Sequence, residues 1–258
     1  MSEFDYGGQV AEVTSSFKRA TVGTRNARLY ALCRVGMFSE TYTEGGKKEV
    51  KPATPYAIAV FHLLGKNDKN DDGSPMFFTK GFPLKKGDKS FLHKTFIPAF
   101  GGFTKHKGFS TMTNQLVSLT LKGSKAQGDD GTPKYINFGA VAEIGEDTLE
   151  LLEAAPAYAA LPDAPGFLLE GELTKEVIEL MNPYTDVLNC ICETEEFKAG
   201  THPSQAVIQA VIDANPERYT RKAKGDDKQS DEADGQSDDN SPQTGNAVAE
   251  ELDEEAAY

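Results

Sequence analysis

Residues 26–65 read NARLYALCRVGMFSETYTEGGKKEVKPATPYAIAVFHLLG. The spacing predicts two long strands joined by a charged loop. In the first, Leu29, Ala31, Cys33 and Val35 alternate with Arg28, Tyr30, Leu32 and Arg34, and a period of two assigns the two sets to opposite faces of a sheet. The second strand, over 56–63, is almost wholly apolar. Between them, Glu44-Gly45-Gly46-Lys47-Lys48-Glu49 and Pro52 show no packing period and read as loop. A strand face with arginines and a ring suits a single-stranded polyanion whose bases stack and whose phosphates meet cations.

Working outward, the residues after Gly65 form a turn-rich loop, KNDKNDDGSP, and 76–82 (MFFTKGF) is a third strand. A short helix is expected from about Ser90, because Leu92, Phe96 and Ala99 fall at i, i+4 and i+7. Gly101 and Gly102 end it, and a basic, aromatic loop over 101–109 (GGFTKHKGF) follows. Strands four and five are predicted over 115–122 and 135–144. Three strands, a helix and two strands is the element order of an oligonucleotide-binding (OB) barrel. The expected fold is therefore mainly β: a five-stranded OB-like barrel over 25–146, with a short helix between strands three and four. Residues 1–24 read as a flexible arm and 147–222 as an acidic helical appendage packed on the barrel. Residues 223–258 are too poor in apolar groups to offset the entropy of ordering, so a disordered acidic tail is expected.

Net charge of -13 argues at first against a polyanion ligand. Its distribution reverses that argument. Residues 11–140 hold 20 Lys/Arg against 10 Asp/Glu, whereas 141–220 carry a net -13 and 225–258 a net -11. A basic front with an acidic rear points to polyanion binding plus an acidic tail. Three cysteines (Cys33, Cys190, Cys192) cannot all pair within the chain, and Cys33 on the apolar set reads as a reduced core thiol. No basic start leads into an apolar segment, and no apolar run reaches the ~20 residues that span a bilayer. A soluble protein of the cytoplasm, with no membrane partner, is the expectation.

The pattern ARLYALCRVG, YAIAVFHLLG, KKGDKSFLHKTFIPAFGG, LVSLTLKG and YINFGAVAEI resembles a family of tailed-phage single-stranded DNA-binding proteins with an OB barrel. The ending EELDEEAAY resembles the acidic, aromatic-terminated tails of phage and bacterial single-strand binders. The resemblance implies a non-enzymatic protein of the host cytoplasm that coats single-stranded DNA during replication and recombination. It further implies a tail (Glu250, Glu251, Asp253, Glu254, Glu255, Tyr258) that competes with DNA and recruits a replisome partner, polymerase or helicase/primase. Homo-oligomerisation is compatible with it. Trp, often the stacking residue in such proteins, is absent, and the 145–220 segment is longer than the function requires.

Candidate DNA-binding residues are Arg28, Tyr30 and Arg34 on the first strand and Lys80, Lys85 and Lys86 around the third. Phe103, Lys105, Lys107 and Phe109 in the basic loop, and Lys122 and Tyr135 at the ends of strands four and five, complete the set. Each has an ordinary reading as well: an exposed strand face, a solvated charge run, a ring closing the barrel end. Residues 68–73 imitate the start of a calcium loop, but Thr79 stands where the closing Glu is needed, so an ordinary turn is expected. Cys190 and Cys192 have no second cysteine pair or ligand-spaced histidines, so no metal, and no cofactor, is expected. No phosphate-binding glycine loop, serine elbow or zinc-protease motif is present. A virion or assembly protein using the barrel to bind protein, a strand-annealing mediator and a metal-dependent nuclease remain open alternatives.

Overall fold

The computed structural model describes residues 19–220, apart from 45, 46, 107, 129, 160, 162, 169, 170 and the side chains of 43, 44, 157 and 159. Of the predicted flexible arm over 1–24, residues 1–18 lie outside these residues, but its end is not an arm: Gly23 and Thr24 open the first strand, paired with Leu121 and Thr120. The tail, with Glu250, Glu251, Asp253, Glu254, Glu255 and Tyr258, lies outside the described residues, as does Lys107. Strand β1 (Gly23–Phe38) is the axis of the molecule. One edge pairs along its length with β4 (Thr54–Leu63), and β4 pairs with β5 (Phe77–Pro83), all antiparallel. The other edge is divided. Its first six residues pair with β6 (Leu116–Gly123), which carries β7 (Ile136–Ala142), and Ala31 to Cys33 pair in parallel with β8 (Gly166–Leu168). The order β5-β4-β1-β6-β7 gives a mixed α/β fold on a six-stranded, largely antiparallel sheet. Among the described residues no backbone pairing joins β5 to β7, so the expected barrel is not closed.

Both faces of this sheet are buried, which strict alternation along β1 did not anticipate. A bulge at Tyr30 shifts the register between Leu29 and Ala31 and inverts the facing of the side chains that follow, until a second shift between Arg34 and Gly36 restores the original phase. Ala27, Leu29 and Leu32 join one core with Ala57, Ala59 and Phe61 of β4; Ala31, Cys33 and Val35 join a second core with Ile58 and Val60. The apolar residue on the supposedly polar face, Leu32, was the sequence sign of this two-sided burial. Arg28 sits opposite His62 and Arg34 opposite Ala57. Those two β4 residues point to opposite faces, so the two arginines leave the sheet on opposite sides. The predicted Arg28–Tyr30–Arg34 face does not form.

The first core is closed by the expected helix. It begins as the π-helical α1 (Leu92–Phe96), continues as α2 (Ile97–Ala99) and is followed by a short turn, α3 (Gly102–Lys105). Leu92, Phe96 and Ala99 are all buried, as their spacing required. Phe82, Phe91, Phe96 and Phe100 run ring to ring through it, with successive centroids 5.1, 6.3 and 5.0 Å apart. The charged loop after β1 is instead a hairpin, β2 (Thr41–Glu44) with β3 (Lys47–Val50), separate from the main sheet. Tyr42 braces it: its hydroxyl donates to Glu49 at 2.8 Å and Lys51 lies 5.2 Å from its ring.

The second core is the acidic appendage laid on the sheet's other face. After α4 (Glu146–Glu153) and α5 (Pro156–Ala159) the chain enters β8 and then α6 (Lys175–Leu180), α7 (Glu195–Lys198) and α8 (Gln205–Ala214). Val177, Ile178, Val187, Ile191, Ile208 and Val211 pack on Ala31, Cys33, Val35, Ile58 and Val60. Thr174 and Thr194 cap α6 and α7 by accepting from Val177 and Phe197 backbone N–H groups. Within this appendage, expected to be helical, the chain after α6 forms no continuous helix but a π-turn (Pro183–Leu188), a 3-10 turn (Ile191–Glu193) and the short α7. Asn182, which accepts from Tyr184 and Thr185 N–H groups, starts that π-turn. Asp186 is buried beneath it, accepting from the Thr79 hydroxyl (2.5 Å) and Asn182 N–H (2.8 Å). Desolvation raises its pKa against these bonds. His202 ties the far end of β1 to the appendage, donating through Nε2 to the Val35 carbonyl at 3.0 Å.

Candidate nucleic-acid interface

β5 places Phe78, Lys80 and Phe82 on the first-core face, opposite Phe61, Ala59 and Ala57. Phe82 is buried, but β5 is an edge strand, and Lys80 reaches across the unpaired gap toward β7. Its ammonium lies 5.5 Å from the Phe91 ring centre and 5.4 Å from that of Phe138. Phe91 and Phe138 are half-buried and meet edge to face at 5.4 Å. Each cation–ring contact contributes about 0.5–1 kcal/mol at an exposed site. Lys85, Lys86 and Lys89 follow in an exposed loop that Ser90 folds by donating to the Lys85 and Gly87 carbonyls. Lys94 projects from α1. None of these five lysines forms an ion pair among the described residues.

On the opposite face Arg28 is 3% exposed. It donates to Asn114 Oδ1 at 3.1 Å, and its other terminal nitrogen lies 3.4 Å from His62 Nδ1. The guanidinium stands 5.5 Å from the Tyr30 ring centre. Tyr30 meets Phe77 at 4.9 Å, and His62 stacks on Phe77 at 5.0 Å. Burial, then the Arg28 charge, pushes the His62 pKa down to about 4, so at neutral pH the imidazole is uncharged and accepts from Arg28. Burial also lowers the Arg28 pKa, opposed by Tyr30, Tyr158 and Asp163. Asn114 holds its place in this cluster with φ +69, a left-handed conformation that Asn tolerates better than most residues.

The basic loop brings two of its predicted members together: Phe103, 50% exposed, packs edge to face on Phe109 at 6.0 Å. Phe109 itself leans on the first core. Lys105 pairs with Glu143 at 3.4 Å, and Gly101 (φ +81) leaves room for its stem, since a Cβ there would stand 2.6 Å from Lys105 Cδ. Tyr135 is 57% exposed, with Lys134 lying 5.6 Å from its ring centre, and Lys122 is exposed one strand away. Arg34 lies far along β1, 3.7 Å from Glu196 of α7.

The predicted residues thus fall into separate groups rather than one trough. Arg28 and Tyr30 are paired but largely covered. Lys80, Lys85 and Lys86 gather at the β5–β7 gap, where sequence reading missed the ring partners Phe91 and Phe138. Lys122 and Tyr135 mark the far end of β6 and β7. Phe91 carried a sequence signal, a ring one residue before the helix's apolar set; Phe138 alternated within its predicted strand. Asp68 of the calcium-like loop is bound to Arg25 and accepts from Gly65 N–H, and the described residues hold no group of three metal-ligating side chains. Cys33 and Cys190 are buried thiols outside any disulfide, and burial pushes their pKa values up, away from reactivity. No helix of the described residues is long and apolar enough to cross a membrane. No family model, curated protein or solved structure matches the chain.

Proposed function

We propose that this chain is a non-enzymatic single-stranded DNA-binding protein of a phage replication and recombination system. It coats exposed strands with little sequence preference. The strand-rich half is read as an OB-like sheet: its five long strands lie third, second, first, fourth, fifth, with the helix between third and fourth. The last seam of that sheet is bridged by Lys80, Phe91 and Phe138 instead of backbone bonds. The observation that carries the reading is this seam: half-exposed rings under a lysine, flanked by four more lysines with no carboxylate partner among the described residues. Rings and unpaired cations on one surface are what a stacked, phosphate-bearing single strand uses. Phe103 with Phe109, and Lys122 with Tyr135, are proposed as separate, secondary contacts for the strand. The acidic tail is proposed to compete with DNA and to recruit a polymerase or helicase/primase.

The test is a salt titration of binding to oligo(dT) and to duplex, on the intact protein and on one lacking 226–258. Preference for the single strand, affinity falling steeply with salt, and tighter binding without the tail are expected. Equal affinity for duplex, or no binding at low salt by either form, overturns the reading. Unchanged affinity on truncation removes the tail from the mechanism and leaves the coating role standing.

A further inference from the structure

The β6–β7 pair carries two exposed patches of opposite character, one at each end. Where β6 runs out, Gly123 lies against Pro133 and Val22: a Cβ there would stand 2.4 Å from Pro133 Cγ and 3.4 Å from Val22 Cγ2. Beside them the Ser124 N–H donates to the Tyr135 carbonyl at 2.9 Å. Val22 and Tyr135 are left 52% and 57% exposed. The exposed cations of this end are Arg19, Lys122, Lys125 and Lys134, with Arg19 anchored by donating to the Lys134 carbonyl at 2.8 Å. None of the four forms an ion pair among the described residues. Asp130 is the one acid among the described residues of 120–136, and it is turned onto the N–H and hydroxyl of Thr132.

Past the other end of β7 lies α4. Its sequence, EDTLELLE, sets Leu149 against Phe100, Leu116 and Ile144 and leaves Leu151 outward, 75% exposed. Glu146, Asp147, Glu150 and Glu153 are exposed on the same helix, and none forms an ion pair among the described residues. Eight residues make a marginal helix in isolation, and no residue of this one is buried. A leucine set among carboxylates is the complement of a ring and a valine set among cations. The two patches cannot meet within one chain, because the seven residues of β7 hold them roughly 20 Å apart.

We infer that α4 of one copy docks on the Val22–Tyr135 patch of the next, Leu151 against the ring and the valine, its carboxylates toward the four cations. Two different surfaces at opposite ends make a contact that does not close on itself, so copies add head to tail. A reciprocal pair would have to lie alongside β7 and cover Phe138, whereas head-to-tail addition leaves the β5–β7 gap open. Lys122 and Tyr135 then meet a strand only on an end copy, whose patch is uncovered. This contact does not depend on the single-strand reading. The experiment is sedimentation of the full-length chain, without DNA, over rising concentration. Wild type is expected to grow past dimer at low salt and to return to monomer at high salt. Leu151→Lys and Tyr135→Glu should each weaken association about tenfold or more, the scale of one lost apolar contact. Their melting curves should match wild type, since both positions are exposed. Mixed together, the two variants should form a dimer and stop, because one keeps the patch and the other keeps α4. A wild type that stays monomeric, or that stops at dimer, overturns the contact. So does a Leu151→Lys variant that associates like wild type, which would leave the patch to another acidic segment such as 226–258. Oligo(dT) binding, measured separately, stands or falls on its own.

Discussion

His62 shows how a single side chain links the sheet to pH. Its folded pKa, about 4, lies below the ordinary 6.5. Its stabilising contribution is therefore present above pH 6.5 and lost as pH falls toward 4, where the folded state resists a proton the unfolded chain accepts. The shift corresponds to at most about 3 kcal/mol. Urea melts between pH 7 and 4 should show this loss, and a His62→Gln variant should lack it. Asp186 works with the opposite sign. Its pKa is raised by burial, so its contribution grows as pH falls, and the His62 effect is read cleanly only as the difference between wild type and variant. Neither role was legible in the sequence. Nothing around His62 announced that it would face Arg28 across a ladder, and Asp186 looked like one more acid on an acidic helix.

At the scale of elements, the sheet is shared between two cores, and this fixes what can be removed. The strands and the helix after β5 were legible because Leu92, Phe96 and Ala99, or the runs over 56–63 and 115–122, carry their period openly. The bulge at Tyr30 was not, since an inserted residue leaves no mark on composition and only Leu32 broke the pattern. The β2–β3 hairpin was likewise read as loop, because its sequence has no apolar period. Its ladder is braced by Tyr42 and, at its base, by the Lys51–Glu40 pair. Ile178 is fully buried against β1 and β4. Ile178→Ala is expected to cost about 2–5 kcal/mol and to lower one cooperative transition, with strand and helix signals melting together. A chain ending at residue 172 would bare Ile58, Val60, Ala31, Cys33 and Val35 and should aggregate, measured as loss of soluble monomer on sizing. Soluble, folded 1–172 would show that the appendage is dispensable to the sheet.

Across the whole molecule, charge and packing divide the chain differently. The basic residues lie in the strand-rich half and the acidic ones in the half that follows, yet that acidic half is bolted to the sheet by an apolar core. The division of charge was read directly from the sequence. Where the cations converge was not, because Lys80 meets Phe91 and Phe138 only once β5 and β7 come side by side. If Lys85, Lys86 and Lys89 each neutralise one strand phosphate, changing all three to Gln should reduce the slope of log affinity against log salt by about 2. Melting temperature should change little, since all three are exposed. An unchanged slope would move the strand's path away from the β5–β7 gap.

The bond from His202 to the Val35 carbonyl spans 167 positions of sequence, and β8 joins β1 across more than a hundred. The central strand therefore acquires its last neighbours only after almost everything downstream of it has emerged and condensed. Chains built on such distant pairings assemble slowly. During synthesis this one spends a long interval with a sticky, half-clothed ribbon on display, the period in which it most needs a chaperone.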